Sequence, residues 1–264
     1  MSYILTIVRL YDIVARGPDV ETAVLPRVFG LACPDVFPYL QIMSWTKINW
    51  LFLDLGWTLI NEARAHLERC ERTVQSLFAL NKPITVDNLI EECDKAAAAF
   101  APSPYWGALQ ALGVTMEEQN ALREQAPYPK DLEELYPDAA DTVKALAKRL
   151  KLGVIANQPA GTEERLVKHG IRDYFDLVFS STEQGVAKPD PRIFELAARA
   201  TGVEPAQIVM VGDRLDNDIR PAKASGWRTV RILRGFHRLQ QPRDEADRPD
   251  FTVRQLSDIP DLPL

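Results

Sequence analysis

Ile48-Asn-Trp-Leu-Phe-Leu-Asp-Leu-Gly-Trp-Thr-Leu59 is the stretch that decides the fold. Its first half is apolar on successive residues, not on alternate ones. Such a run suits a strand buried on both faces, as in a parallel sheet. The run ends on a carboxylate, Asp54. A cap on a following turn would be the plain structural use of that acid. The other reading is chemical, because ligands in open parallel sheets sit at the carboxyl ends of the strands.

Further apolar runs lie at Leu152–Ile155, Leu177–Phe179, Ile208–Val211 and Thr229–Leu233. Helical periods fall between them. Asp138–Leu150 carries Ala139, Val143, Leu146 and Leu150 on one face, and Thr162–His169, Pro191–Thr201 and Asp218–Ser225 read similarly. Strands alternating with helices predict βαβ units and an α/β fold with a parallel sheet. Residues 61–127 differ. Glu62–Leu80 and Val86–Phe100 look helical, prolines punctuate the rest, and no strand pattern occurs. The reading is a helical insertion after the first core strand, able to close over the strand ends, with hinges near Ile60–Asn61 and Pro127–Leu132. The core is then 45–60 and 128–264. Residues 1–44 are broken by Pro18, Pro26, Pro34 and Pro38 and fit neither part. They are expected to be a poorly ordered extension or the product of a start set too early, with Met43 as an alternative start.

The 264 residues carry a formal charge of −6, which argues against a general nucleic-acid binder. Three cysteines, Cys33, Cys70 and Cys93, are too few and too scattered for a disulfide framework or a zinc site. A reducing cytoplasm is the expected setting. No segment reaches the roughly 20 apolar residues of a membrane span, and the N-terminus lacks a basic start for a signal peptide. His66, His169 and His237 show no ligand-like spacing and read as ordinary residues. Nothing in the sequence sets an oligomeric state.

The strand ends carry the chemistry. The first ends in Asp54, the second in Ala156-Asn157, and the run at Ile208–Val211 in Gly212-Asp213, with Asp218 five residues on. Lys188 lies in Gly185-Val-Ala-Lys-Pro-Asp190. A carboxylate at Asp54 can attack phosphorus, but it repels a phosphate dianion. Mg²⁺ resolves this, because it takes carboxylate and phosphate oxygens together. Asp54 and Asp213 are the expected metal ligands, and Asp218 binds through water or orients a ligand. Lys188 adds fixed positive charge against the phosphate.

This order of motifs resembles the haloacid dehalogenase-like (HAD) hydrolase superfamily. The resemblance covers about residues 47–260. It rests on Asp-x-Gly-x-Thr-Leu at 54–59, Val-Ala-Lys-Pro-Asp-Pro at 186–191 and Val-Gly-Asp with Asp218 at 211–218. It implies a Rossmann-like core and a small helical cap of the C1 type. It also implies a nucleophile at Asp54, a metal-ligand carbonyl at Gly56, an electrostatic Lys188 and metal-site acids Asp213 and Asp218. Asn157 is expected to help hold the phosphate.

Two positions depart from that pattern. Family phosphatases usually carry an acid two residues after the nucleophile, where this chain has Gly56. They usually carry Ser or Thr where it has Ala156. The expected function is a Mg²⁺-dependent phosphatase acting on a small phosphorylated metabolite. The alternatives are a phospholigand-binding regulator without efficient turnover and, further off, a 2-haloacid dehalogenase, which needs Asp54 but no metal.

Overall fold

Leu51 and Leu53 point to one face of the first strand and Phe52 to the other, and all three are fully buried. That is why the run is continuously apolar. The computed structural model describes residues 47–264, so the expected extension at 1–44 and the alternative start at Met43 lie outside the described residues. Trp50–Leu53 forms β1, and it pairs in parallel with Lys151–Ala156 (β4) on one side and Ile208–Gly212 (β6) on the other. Leu177–Ser180 (β5) extends the sheet beyond β4. Arg228–Ile232 (β7) and Phe251–Val253 (β8) extend it beyond β6. The order is β5-β4-β1-β6-β7-β8, parallel throughout.

The connections therefore leave β1 in opposite directions, first through β4 and β5 and then through β6. In open α/β sheets such a reversal is where ligands bind, here outside the carboxyl end of β1. Leu51, Leu53, Val154, Val209 and Val211 share one apolar cluster. Phe52, Ile155, Met210, Phe194 and Trp227 share the other. The α/β expectation with a Rossmann-like parallel sheet holds.

Between residues 61 and 134 the chain forms four α-helices: α1 (Ala63–Ala79), α2 (Val86–Ala98), α3 (Pro104–Ala111) and α4 (Met116–Gln125). Local chemistry sets their starts. Thr85 accepts from the Asn88 N–H, Ser103 from the Trp106 N–H, and Thr115 with Glu118 makes a capping box. Two short strands bracket the helices. Ile60–Asn61 (β2) pairs antiparallel with Glu134–Leu135 (β3), at the expected hinge positions or next to them. Arg238 holds Asp94 of α2 at 2.9 and 3.0 Å, and the Gln240 amide donates to the Ala97 carbonyl at 3.3 Å.

The remaining helices are α5 (Ala139–Leu146), α6 (Thr162–Lys168), α7 (Ser181–Gln184), α8 (Pro191–Thr201) and α9 (Arg220–Ala224). Two details differ from the sequence reading. The helix expected over Asp218–Ser225 is a π-turn at Leu215–Ile219 followed by α9. Both the Asp218 and Ile219 N–H groups donate to the Arg214 carbonyl there. Strands β2, β3 and β8 were not anticipated, because two or three residues are too short to display a period. Among the described residues, no helix is long and apolar enough to cross a membrane.

Candidate active site

Asp54 leaves the end of β1 with its N–H bonded to the Val211 carbonyl at 2.9 Å. It is thereby set between the ends of β4 and β6. Asp213 follows β6 directly, and the π-turn brings Asp218 back over Gly212. A Cβ on Gly212 would lie 2.4 Å from both Cγ and Oδ2 of Asp218, so glycine is what lets this carboxylate approach. One carboxylate oxygen from each of Asp54, Asp213 and Asp218 lies within 4.8 Å of the others. Asp213 and Asp218 are buried and Asp54 nearly so, with its side chain 14% exposed.

Lys188 closes the cluster. Its Nζ lies 2.6 Å from Asp54 Oδ1 and 2.6 Å from Asp218 Oδ1. The loop that carries it is clasped by Asn157, whose amide donates to the Lys188 carbonyl at 2.6 Å and accepts from the Lys188 N–H at 2.8 Å. This revises the expected role of Asn157. Its amide oxygen and one of its amide N–H groups hold the Lys188 backbone, so Asn157 positions the lysine. Ala156 is buried at the end of β4 and offers no hydroxyl.

Burial pushes all three carboxyls up from their ordinary range. Lys188 opposes that rise at Asp54 and Asp218, and His237 opposes it at Asp213. Burial also works against the Lys188 charge, but Asp218 and Asp54 outweigh it and raise the ammonium. Three buried acids thus face one lysine. An all-oxygen donor set with surplus negative charge suits a hard divalent cation. Two ligands on opposite sides of Mg²⁺ stand about 4.2 Å apart, given bonds of about 2.1 Å. The cluster is therefore of the right size to within a small contraction.

Sequence reasoning missed several groups here. His237 was read as ordinary, yet its Nδ1 lies 2.8 Å from Asp213 Oδ2. Behind it, Arg231 donates to the His237 carbonyl at 2.7 Å, and burial pushes the Arg231 guanidinium down to about 10. Arg165, which no motif singles out, is mostly buried and pairs with Glu133 at 2.7 Å. His66 stacks on Trp57 and meets Phe236 and Tyr128 edge-on. Separations of 24 residues between His237 and Asp213, or 32 between Arg165 and Glu133, leave no local pattern to read. The loop after Asp54 holds one more such group. Gly56 does not have the left-handed φ that demands glycine, yet a Cβ there would lie 2.6 Å from Glu62 Oε1.

Comparison with known proteins identifies relatives of the chain. Over 129 residues the chain is 44% identical to a glyceraldehyde 3-phosphate phosphatase of Methanopyrus kandleri, covering 47% of this chain and 55% of that protein. It is 35% identical over 170 residues to a phosphoserine phosphatase of Thermus thermophilus, covering 62% and 65% respectively. The matches thus span roughly half to two thirds of these relatives' lengths. A solved structure from Haemophilus somnus, described as a predicted phosphoglycolate phosphatase, superposes with a TM-score of 0.61 at 23% identity. That superposition covers 82% of this chain and 98% of the other, and it shows the shared fold. The family model for haloacid dehalogenase-like hydrolases matches residues 58–226, more than half of the chain, and the protein belongs to that family.

Proposed function

We propose that this protein is a Mg²⁺-dependent phosphatase of a small phosphorylated metabolite, working through a phosphoenzyme on Asp54. The observation that carries the reading is the gathering of Asp54, Asp213, Asp218 and Lys188 at the carboxyl end of β1. Relatives named as phosphatases of glyceraldehyde 3-phosphate and of phosphoserine support the substrate class. A dehalogenase needs no metal, so three acids gathered at one point count against that reading.

In this reading Asp54, Asp213, Asp218 and the Gly56 carbonyl hold Mg²⁺. When bound, the ion offsets the carboxylate charge and draws the phosphate oxygens toward the nucleophile. An Asp54 oxygen attacks phosphorus, the ester bond breaks, and water then cleaves the acyl phosphate to free inorganic phosphate. Lys188 orients Asp54 and holds positive charge against the phosphoryl oxygens. Asn157 keeps Lys188 there, and His237 fixes the rotation of Asp213.

The same reading divides the chain into a core of residues 45–60 and 128–264 and a C1-type helical cap of 61–127. Arg238 and Asp94 join the two, and the β2–β3 ladder forms the hinge. The free buried thiols of Cys70 and Cys93 support a reducing, cytoplasmic setting.

The test is inorganic phosphate release from a panel of phosphorylated metabolites, with Mg²⁺ and with chelator, for the wild type and Asp54→Asn. Mg²⁺-dependent release that vanishes in Asp54→Asn is the expected result. Binding of phosphate esters without release from any of them would move the assignment to a non-catalytic phospholigand binder.

A further inference from the structure

Breaking an alkyl phosphate ester leaves an alkoxide, a poor leaving group unless a proton reaches its oxygen as the bond breaks. The groups already placed are not available for this. Lys188 is held between two carboxylates, and Asp54, Asp213 and Asp218 serve attack and charge. Gly56 has no side chain. The space that a side chain at 56 would enter is nevertheless filled. The three atoms nearest to a Cβ at that position all belong to the Glu62 carboxylate, with Oε1 at 2.6, Cδ at 3.0 and Oε2 at 3.2 Å.

This carboxylate is only loosely engaged elsewhere, its two charged neighbours standing 3.7 and 4.0 Å away. Glu62 stands at the N-cap of α1 but makes no capping bond. The Asn61 side chain accepts from the Ala63 N–H instead, at 3.0 Å. Arg165 passes Glu62 Oε1 at 4.0 Å, and its short contact of 2.7 Å goes to Glu133. His66 Nε2 stands 3.7 Å from Glu62 Oε2, and the His66 Nδ1 is buried with no partner. Leu55 is fully buried while its neighbours Asp54 and Gly56 are partly exposed, and the Glu62 carboxylate lies against Gly56, two residues from the nucleophile. The Glu62 side chain keeps 13% exposure, enough for an ester to meet it.

We propose that Glu62 is the catalytic acid–base of this site, carried in from the first turn of the helical segment to the place that residue 56 leaves empty. The proposal rests on the phosphatase reading. In the first step an Asp54 oxygen forms a bond to phosphorus, the ester P–O bond breaks, and the Glu62 proton passes to the departing alcohol oxygen. In the second step the Glu62 carboxylate takes a proton from water as that water's oxygen bonds to phosphorus and the Asp54–phosphorus bond breaks. Glu62 is then protonated again, and Asp54 is a free carboxylate. His66 orients Glu62 from one turn further along α1.

The test compares two esters, glycerol phosphate with an alkyl leaving group and p-nitrophenyl phosphate with a stable phenolate leaving group. Glu62→Gln keeps the shape and removes the proton. Its kcat/KM for glycerol phosphate is expected to fall about 10²- to 10⁴-fold, the usual worth of a general acid. For p-nitrophenyl phosphate it should fall only a few-fold. The double variant Gly56→Asp with Glu62→Ala clears the steric conflict and returns a carboxyl to the same place, so it should recover much of the alkyl-ester rate. Equal losses on both esters, no loss on either, or a wild type that cleaves only the aryl ester would each overturn the role of Glu62 while leaving Asp54 chemistry standing. A wild type that cleaves neither of these esters nor any other phosphorylated metabolite of the panel in an Asp54-dependent way would refute the phosphatase reading, and the Glu62 proposal with it.

Discussion

Replacing Lys188 with methionine keeps the length of the side chain and deletes its charge. The lysine side chain is 2% exposed, and its Nζ lies 2.6 Å from both Asp54 Oδ1 and Asp218 Oδ1. Removing one partner from a buried ion pair costs about 3–5 kcal/mol. A second route to the magnitude uses protonation. The stranded acids can relieve themselves by binding one proton. From the ordinary carboxyl value of 3.8 to pH 7, at about 1.36 kcal/mol per pH unit, that proton costs at most about 4.4 kcal/mol. Burial already raises Asp54 and Asp218, so the true ceiling is lower, and the expected loss at pH 7 is about 3–4 kcal/mol.

At pH 5 the same ceiling is about 1.6 kcal/mol. The sign follows from the raised carboxyls. A group raised in the folded state contributes stability below its unfolded value, here 3.8, and loses it as pH climbs through the folded value. Lys188, also raised, keeps its full contribution below 10.5 and loses it as pH rises from there through its folded value, well outside this window. The penalty of Lys188→Met must therefore grow from pH 5 to pH 7. Urea unfolding of both proteins in chelator, at the two pH values, measures it. Added Mg²⁺ should shrink the penalty, since the variant's acids, no longer offset by the lysine, bind the ion more tightly than those of the wild type and so gain more stability from it. A loss under about 1 kcal/mol at pH 7 would refute the reasoning, as would a loss that does not change between the two pH values.

Two further substitutions probe the same acids from other sides. Gly212→Ala would set a methyl 2.4 Å from Asp218 Cγ, and relieving that overlap should cost about 1–3 kcal/mol and turn the carboxylate away. Calorimetric titration should find Mg²⁺ affinity at least about tenfold weaker, and undiminished affinity would show that Asp218 is not needed at the ion. His237→Phe removes the 2.8 Å contact to Asp213 in a similar volume and should lower Mg²⁺ affinity about 10- to 100-fold with the fold retained. Unchanged affinity would reduce His237 to packing.

Much of the site was legible in one dimension because parallel sheets put function at strand ends. Once Trp50–Leu53 and Ile208–Gly212 read as buried strands, Asp54 and Asp213 had to emerge on the same edge. The helical character of 63–125 was equally plain, since capping residues and apolar periods are local signals. Other features were not readable. The π-turn that delivers Asp218 depends on a shared carbonyl at Arg214, which no period announces. Asn157 was assigned to the phosphate because its residue type and position suit that role. Its bonds to the Lys188 backbone span 31 residues and exist only in the fold.

Position 56 separates the two kinds of information most clearly. By itself the sequence determined the α/β class, the parallel sheet, and which carboxylates and lysine gather at its edge, because burial patterns and strand ends are written locally. On the same evidence, a glycine two residues after Asp54 read as a missing group. Only the tertiary structure placed Glu62 in that space and His237 behind Asp213. Side chains from distant segments meet through packing, and which of them fills a given volume is decided by the whole chain at once.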